Sequence, residues 1–263
     1  MSDDGHLTHG WEPDLPAGDS LLRAYLLTAA AHSAALAALT PGGRAQRWPD
    51  LAAADPASPV LFDNLAVRLQ PPQYAAAGDV GERLDRFYPP ARHATLLSAW
   101  PTPPPGPGWE LMGHPPLMLR PPGGTPPPAP AGLAIRPVTD AAGLAAFVAT
   151  LVAAYPMPAA ADTVLADAAV LAADIRLYVG YVDGTPVGTA GARLGAGVTD
   201  VEWVAVLPAY RGRGIGAALT WAATAADPAV PAMLIASDDG QPIYRALGYL
   251  PLLRLTMWHR PPR

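Results

Sequence analysis

The segment Val204-Ala-Val-Leu-Pro-Ala-Tyr-Arg-Gly-Arg-Gly-Ile-Gly-Ala-Ala-Leu219 holds the residues best suited to chemistry. An apolar run ends at Pro208, glycines follow at 212, 214 and 216, and an Ala/Leu stretch begins at Ala217. Glycine has no Cβ, so consecutive backbone N–H groups can turn toward one point and a ligand can approach them closely. At a helix start those N–H groups have no intrahelical partner and lie at the positive end of the dipole. The spacing predicts an anion site suited to a pyrophosphate. The glycines alone do not say which pyrophosphate. Gly212-x-Gly214-x-x-Ala217 also satisfies the loose dinucleotide fingerprint, and Asp238 ends the next expected strand where a ribose-binding acid would stand. Two features count against that reading. Pro208-Ala-Tyr-Arg211 separates the strand from the first glycine, and the 47 residues after Gly216 are too few to complete a doubly wound sheet.

Other chemistry is sparse. The chain has no cysteine, which excludes disulfides, thiolate–metal sites and a cysteine nucleophile and fits a reducing compartment. His6 and His9 sit near the start, and His32, His93, His114 and His259 are scattered without ligand spacing, so no metal site is expected. A net charge of −5 gives no electrostatic footprint for nucleic acid or an anionic membrane. The start, Met1-Ser-Asp-Asp, is acidic where a signal peptide would be basic. The apolar run Leu21–Leu39 is mostly alanine and contains Arg23 and His32, which favours a soluble amphipathic helix over a membrane span. A cytoplasmic protein, monomer or homodimer, is the expectation.

The elements that must position the glycine loop read as follows. Proline divides the chain, with five prolines in 101–108 and six in 121–130. The second tract should be extended polyproline II, a semi-rigid spacer. The expected division is an N-terminal region at 1–120, a linker at 121–130 and a C-terminal domain at 131–263. In that domain Leu133–Val138 reads as a strand, and Asp140 caps a helix to Ala154. A second helix is expected at about 160–172. Arg176–Val182 and Pro186–Leu194 form a hairpin through Asp183-Gly184. Thr199–Leu207 is the next strand, followed by the glycine loop and a helix to about Ala226. Ala232–Ser237 is a strand, Gln241–Leu247 a short helix closed by Gly248, and Leu250–Trp258 a last strand. In the N-terminal region a helix at Leu21–Leu39, strands at Leu61–Leu69 and Ala94–Trp100, a helix near Gln73–Phe87 and a strand pair in Trp109–Leu119 are expected.

This order, β-α-α-β-β-β-α-β-α-β, together with two motifs, resembles the GNAT superfamily of N-acetyltransferases. The motif Gln/Arg-x-x-Gly-x-Gly/Ala is matched by Arg211-Gly-Arg-Gly214-Ile-Gly216, and Tyr-x-x-x-Gly-Phe/Tyr by Tyr244-Arg-Ala-Leu-Gly248-Tyr249. The resemblance spans about 131–258 and implies an α+β fold with a mixed, mostly antiparallel central sheet flanked by helices. Gly108-Trp109 followed by Pro115-Pro-Leu-Met118 is similar to the tail of such a domain, so the N-terminal region reads as a degenerate GNAT-like half or an unrelated helical cap.

The resemblance also implies a reaction: transfer of the acetyl group of acetyl-CoA to a primary amine within a ternary complex. The pyrophosphate would lie on the backbone of Gly212, Arg213, Gly214, Ile215, Gly216 and Ala217, with charge added by Arg211 and Arg213. The pantetheine arm would pair along Val204, Ala205 and Val206. An N–H near Val206 would stabilise the developing oxyanion, a contribution of roughly 3–4 kcal/mol in acyl transfer. Tyr244 would protonate the leaving thiolate, since a phenol of pKa about 10 can supply a proton or a strong hydrogen bond. A carboxylate would deprotonate the ammonium. Asp200 and Glu202 lie two apart on a strand and should share a face with Val204 and Val206, so either is the base or both are rim residues. Ser237 stands where the family often has asparagine, which puts a pantetheine contact there in doubt, and Gly240 stands where a small alanine is common. The acceptor, a small amine or a protein N-terminus, would approach from the first two helices, with Tyr155-Pro-Met-Pro158 as a candidate wall. A non-catalytic domain that binds CoA or a partner protein is the alternative.

Overall fold

The computed structural model describes residues 20–72, 80–155, 157 and 159–263. The N-terminal portion holds α1 (Leu21–Leu39), β1 (Arg44–Arg47), β2 (Leu51–Asp55), β3 (Leu65–Arg68), α2 (Val80–Phe87), β4 (Ala94–Ser98), β5 (Glu110–Gly113) and β6 (Pro116–Arg120). After the Pro-rich tract come β7 (Leu133–Pro137), α3 (Ala141–Ala154), β8 (Ile175–Val182), β9 (Thr185–Gly195) and β10 (Val198–Val206). The chain ends with α4 (Ile215–Thr224), β11 (Ala232–Ile235), α5 (Gln241–Ala246), β12 (Leu250–Arg254) and β13 (Thr256–Arg260). The result is an α+β architecture of two mostly antiparallel sheets flanked by helices.

The sheets have the orders β1-β2-β3-β4-β13-β5 and β12-β6-β11-β10-β9-β8-β7. Each contains one parallel pair, β3–β4 and β10–β11. In each, the strand after that pair comes from the other portion of the chain: β13 lies between β4 and β5, and β6 lies between β11 and β12. The two portions thus exchange their last strands. The Pro-rich tract joins them along the chain, but the sheets do not part there, because β6 precedes the tract and belongs to the second sheet.

This exchange corrects two expectations. Trp109–Leu119 does contain two strands, but β5 and β6 enter different sheets instead of pairing with each other. The expected final strand at Leu250–Trp258 is two strands, broken at the fully buried Leu255, whose N–H donates to the Pro115 carbonyl at 2.9 Å. Both stretches are near-continuous apolar runs, which do not reveal where a chain changes sheet. β1 and β2, rich in alanine and polar residues, were not expected from the sequence at all. Part of the expected helix at Gln73–Phe87 lies outside the described residues, and the rest is α2.

The expected helix at 160–172 is instead three 3-10 turns, Ala160–Asp162, Val164–Ala166 and Ala168–Ala172. Local polar side chains take the N–H groups that a helix would use. Thr163 Oγ1 accepts from Leu165, Asp167 accepts from Ala169 at 2.8 Å, and Asp63 accepts from the Val164 N–H at 3.0 Å.

Helix α1 fastens the two sheets together. Alanine has the highest helix propensity, Ser20 accepts from Arg23 N–H at the start, and Pro41 follows just beyond the end. Ten of its 19 residues are buried. Its Ala24, Tyr25, Leu26 and Ala29 pack with Val67 and Leu97 of the first sheet and with Leu117, Val198 and Met233 of the second. α1 is long and apolar enough to cross a membrane by composition, but that composition serves burial on two sides within the core.

Candidate active site

The site begins at a fault in β10. Its antiparallel register with β9 runs from Val198↔Gly195 to Glu202↔Gly191 and resumes at Ala205↔Thr189. Two residues, Trp203 and Val204, therefore oppose the single Ala190, which is a β-bulge. Trp203 has φ +53°, in the left-handed region where a large side chain is strained. Thr189 Oγ1 holds the bulge by donating to the Trp203 carbonyl at 2.8 Å. The Trp203 ring fills the space where a Cβ on Gly191 would stand, so this close approach requires glycine there.

The bulge corrects the expected side-chain alternation. Asp200 and Glu202 share a face, as expected, and are paired with Arg193 and Gly191. The extra residue turns Val204 and Val206 to the opposite face, where they pack with Val201, Ile215 and Leu219 beneath α4. The carboxylates instead lie on the face covered by α1 and α3.

The bulge also opens the sheet. β10 pairs with β11 through Thr199↔Ala232 and Asp200↔Met233 only. Beyond Asp200 the strands part. Ala232–Ile235 stays paired to β6, and Glu202–Val206 stays on β9. Among the described residues, the other edge of β10 toward Val206 has no strand partner, so its peptide groups face an opening.

The glycine loop stands at the end of this opening. Pro208–Tyr210 forms a 3-10 turn, Gly212 and Gly214 have φ +74° and +79°, and α4 starts at Ile215. Ala218 N–H makes the first helical bond, to Gly214 O at 3.1 Å, which leaves the N–H groups of Ile215, Gly216 and Ala217 without helical partners. A Cβ at Gly212 would meet nothing within 4 Å, so the approach is open. Arg211 braces the loop by donating to Val206 O and Ala154 O, each at 3.0 Å. The Ala154 contact caps the last turn of α3. Arg213 donates to Ala209 O at 3.1 Å and lies 5.2 Å from the Tyr210 ring centroid.

Tyr244, on α5, is half-buried against the α4 core, edge-on to Tyr249 with ring centroids 6.0 Å apart. Burial pushes its phenol above the ordinary value of 10. That keeps it protonated, as a proton donor must be. Ser237 Oγ accepts from Gly240 N–H at 3.1 Å and so shapes the turn into α5. A Cβ at Gly240 would come 3.0 Å from the Tyr244 ring, which explains the absence of alanine there.

A buried charge cluster underlies the carboxylates. The Arg193 guanidinium pairs with Glu202, and its Nε lies 4.0 Å from Asp200 Oδ2. Arg193 also lies over the Trp203 ring, 5.0 Å from its centroid. Burial pushes the Asp200 carboxyl well above the usual carboxylate range, and the nearby Glu202 adds to this. α1 presents Tyr25, Thr28 and His32 toward this region, with Thr28 Oγ1 donating to Gly195 O at 2.8 Å. Burial raises the Tyr25 phenol and lowers the His32 imidazole to about 2, with Arg193 adding to the latter. Sequence reasoning did not find Arg193, Tyr25, His32 or Trp203. Arg193 carried a signal, a lone cation in a Gly/Ala/Val strand, but nothing in the sequence links it to residues on α1. Of the expected acceptor wall, Tyr155 is exposed, while Pro156 and Pro158 lie outside the described residues. Among the described residues no group of His, Asp or Glu could hold a metal ion.

Residues 173–251 match the family model of the acetyltransferase (GNAT) domain. A search of curated proteins finds no match. Among solved structures, the chain is similar to a GCN5-related N-acetyltransferase from Kribbella flavida, at 27% identity and TM-score 0.62, over 89% of this chain and 96% of that one. A putative acetyltransferase of the GNAT family from Novosphingobium aromaticivorans aligns at 21% identity and TM-score 0.60, over 90% and 96% of the two chains, a likeness of fold. Another such likeness is a GCN5-related N-acetyltransferase from Sphaerobacter thermophilus, at 17% identity and TM-score 0.54, over 81% and 77%. The bulged strand, the glycine loop, α4 and Tyr244 all lie inside the matched segment, so residues 173–251 are read as a GNAT acetyltransferase domain within a chain whose fold is similar to GCN5-related N-acetyltransferases.

Proposed function

We propose that the protein transfers the acetyl group of acetyl-CoA to a primary amine by direct attack within a ternary complex. The observation that carries this reading is the edge of β10 that has no strand partner among the described residues and ends at the N–H groups of α4 that lack helical partners. An extended amide-bearing arm can pair with such an edge, and a pyrophosphate matches a helix N-terminus. Gly212 to Ala217 would hold the phosphates, and Val204 to Val206 would pair with the arm. The cosubstrate supplies an activated thioester. The Val206 N–H is the donor offered to the thioester oxygen. Glu202 removes a proton from the acceptor ammonium, and Tyr244 gives one to the departing sulfur. Ser237, just past the end of β11, would line the opposite side of the opening. Arg211 and Arg213 add positive charge from their braced positions.

The N-terminal portion reads in this proposal as a diverged GNAT half. Its sheet, with two antiparallel pairs, one parallel pair and two antiparallel pairs, repeats the pairing sequence of the second sheet without that sheet's edge strand β7. The acceptor is a small amine or a protein N-terminus, and the absence of cysteine suits a cytoplasmic setting. The test is thiol release from acetyl-CoA across a panel of amines, including small polyamines, amino-acid derivatives and peptides with free N-termini. Acceptor-dependent thiol supports the reading. If CoA raises Tm but no acceptor releases thiol above background, the chain is a CoA-binding protein without this activity.

A further inference from the structure

The Asp200 carboxyl poses a question of proton count. It is fully buried, and no donor reaches either of its oxygens. Arg193 Nε, at 4.0 Å, is too far for a hydrogen bond and is itself unpartnered. The neighbouring carboxylate, on the same face of β10 and acting on Asp200, is Glu202. Two carboxylates are both acceptors, so they can bond only if one carries a proton. Burial assigns that proton. Glu202 is 26% exposed and holds the guanidinium of Arg193 directly, whereas Asp200 is fully enclosed and its nearest cation, Arg193 Nε, stands off at 4.0 Å. A buried charge without a partner is far costlier than a buried acid. With Asp200 neutral, the cluster contains one cation and one anion and is balanced.

We infer that Asp200 is a neutral carboxylic acid and a positioning residue, donating its proton to Glu202 and leaving that carboxylate, held by Arg193, as the single base of the site. This rests on the acetyltransferase reading above. In the reaction a nitrogen–hydrogen bond of the acceptor ammonium breaks as an oxygen–hydrogen bond forms on Glu202. That proton leaves to solvent from the exposed side of Glu202, while the Asp200 proton stays in place. The groups facing Asp200 are Arg193 of β9, Glu202 of β10, Tyr25 of α1 and the nearby Tyr249, while His32 of α1 and Asp63 interact with Arg193. Tyr25 and His32 are held neutral by burial, so α1 closes the cluster without adding charge. The N-terminal portion thereby takes part in setting the base.

Three substitutions in the full chain test this. Glu202→Gln should lower kcat about 100-fold. Asp200→Leu, which removes the donor, should lower kcat about tenfold and move the acid limb of the pH–rate profile to higher pH. Asp200→Asn keeps an uncharged donor and should restore the limb and most of the lost rate. Asn as inactive as Leu, with Glu202→Gln still active, would make Asp200 the base and overturn the inference. Stability provides a reading independent of turnover. A carboxyl whose folded pKa is raised contributes stability below its unfolded pKa, about 4, and that stability is lost as pH rises. Asp200→Asn should therefore gain Tm over wild type above about pH 5, by a margin that widens as pH rises. A Tm deficit for Asn that is largest at high pH would show an ionised, paired Asp200. If Asp200→Asn does not fold, the infrared carbonyl band of a protonated carboxyl in the wild-type chain near neutral pH decides, and its absence overturns the inference. A wild-type chain that turns over no acceptor, yet shows the stability pattern, would reject the acetyltransferase reading and keep Asp200 protonated.

Discussion

Apart from the extra edge strand β7 of the second, the two sheets share one pairing scheme and differ where chemistry would occur. In the first sheet, β3 pairs with β2 without a register break and zips to β4 over Leu65↔Thr95, Ala66↔Leu96 and Val67↔Leu97. In the second, β10 carries a bulge, and its parallel pairing with β11 stops after two positions. The lead into α2 contains a single glycine in Gln70–Val80, against three in Arg211–Gly216. Between β4 and β5 the described residues form no helix, so nothing stands where α5 carries Tyr244. The concavity of about 350 Å³ beside α2 is lined by Glu82 and Asp85 as well as Arg86, a poor host for phosphate. The comparison teaches that pairing order specifies a scaffold, whereas a cofactor cleft requires a local fault in that order.

The comparison can be broken or sharpened by experiment. The largest effect is expected from Gly214→Asp. Aspartate tolerates left-handed backbone better than most residues, so the fold should hold while its charge opposes the phosphates. CoA should then give no Tm shift, where wild type gains about 2.7 kcal/mol at a hundredfold excess over Kd. Normal CoA binding by this variant would remove the glycine loop as the anion site. Tyr244→Phe should lower kcat by about 100-fold with the KM for acetyl-CoA little changed. Unchanged kcat would make Tyr244 a packing residue, like its surroundings.

Gly191→Ala attacks the bulge. The new methyl collides with the Trp203 ring, and overpacking of this kind costs about 1–3 kcal/mol. Urea denaturation should show that loss, and a variant as stable as wild type would mean that the bulge does not depend on Gly191. His32 tests the junction of the two portions. Its folded pKa is lowered to about 2, so the unfolded chain binds a proton that the folded chain excludes. The stability is fully present above about pH 6.5 and is lost as pH falls, by about 1.4 kcal/mol per pH unit. His32→Leu should flatten that slope, and an unaltered slope would place the titration elsewhere.

Much of this was legible in the sequence. The Asp140 cap, the Asp183-Gly184 turn, the glycine loop and the extent of α1 follow from local rules, because caps, positive φ and helix propensity are properties of neighbouring residues. The illegible parts depend on distant ones. The strand break at Leu255 is set by the Pro115 carbonyl, the 3-10 turn beginning at Val164 in part by Asp63, and the bulge by Gly191 and Thr189 opposite Trp203. Alternation along β10 correctly joined Asp200 to Glu202 and wrongly joined them to Val204 and Val206, because one inserted residue reverses the face.

By itself, then, the sequence determined that a glycine-rich helix start, a tyrosine at the second motif and two carboxylates occur in the order of a GNAT domain. Only the tertiary structure decided which carboxylate is enclosed, which faces share a side, and that the last strands of the two portions change places. The physical reason is that burial and strand partnership arise from residues far apart in the chain. Asp200 and Glu202 are two positions apart, yet α1, some 170 residues earlier, encloses only the first.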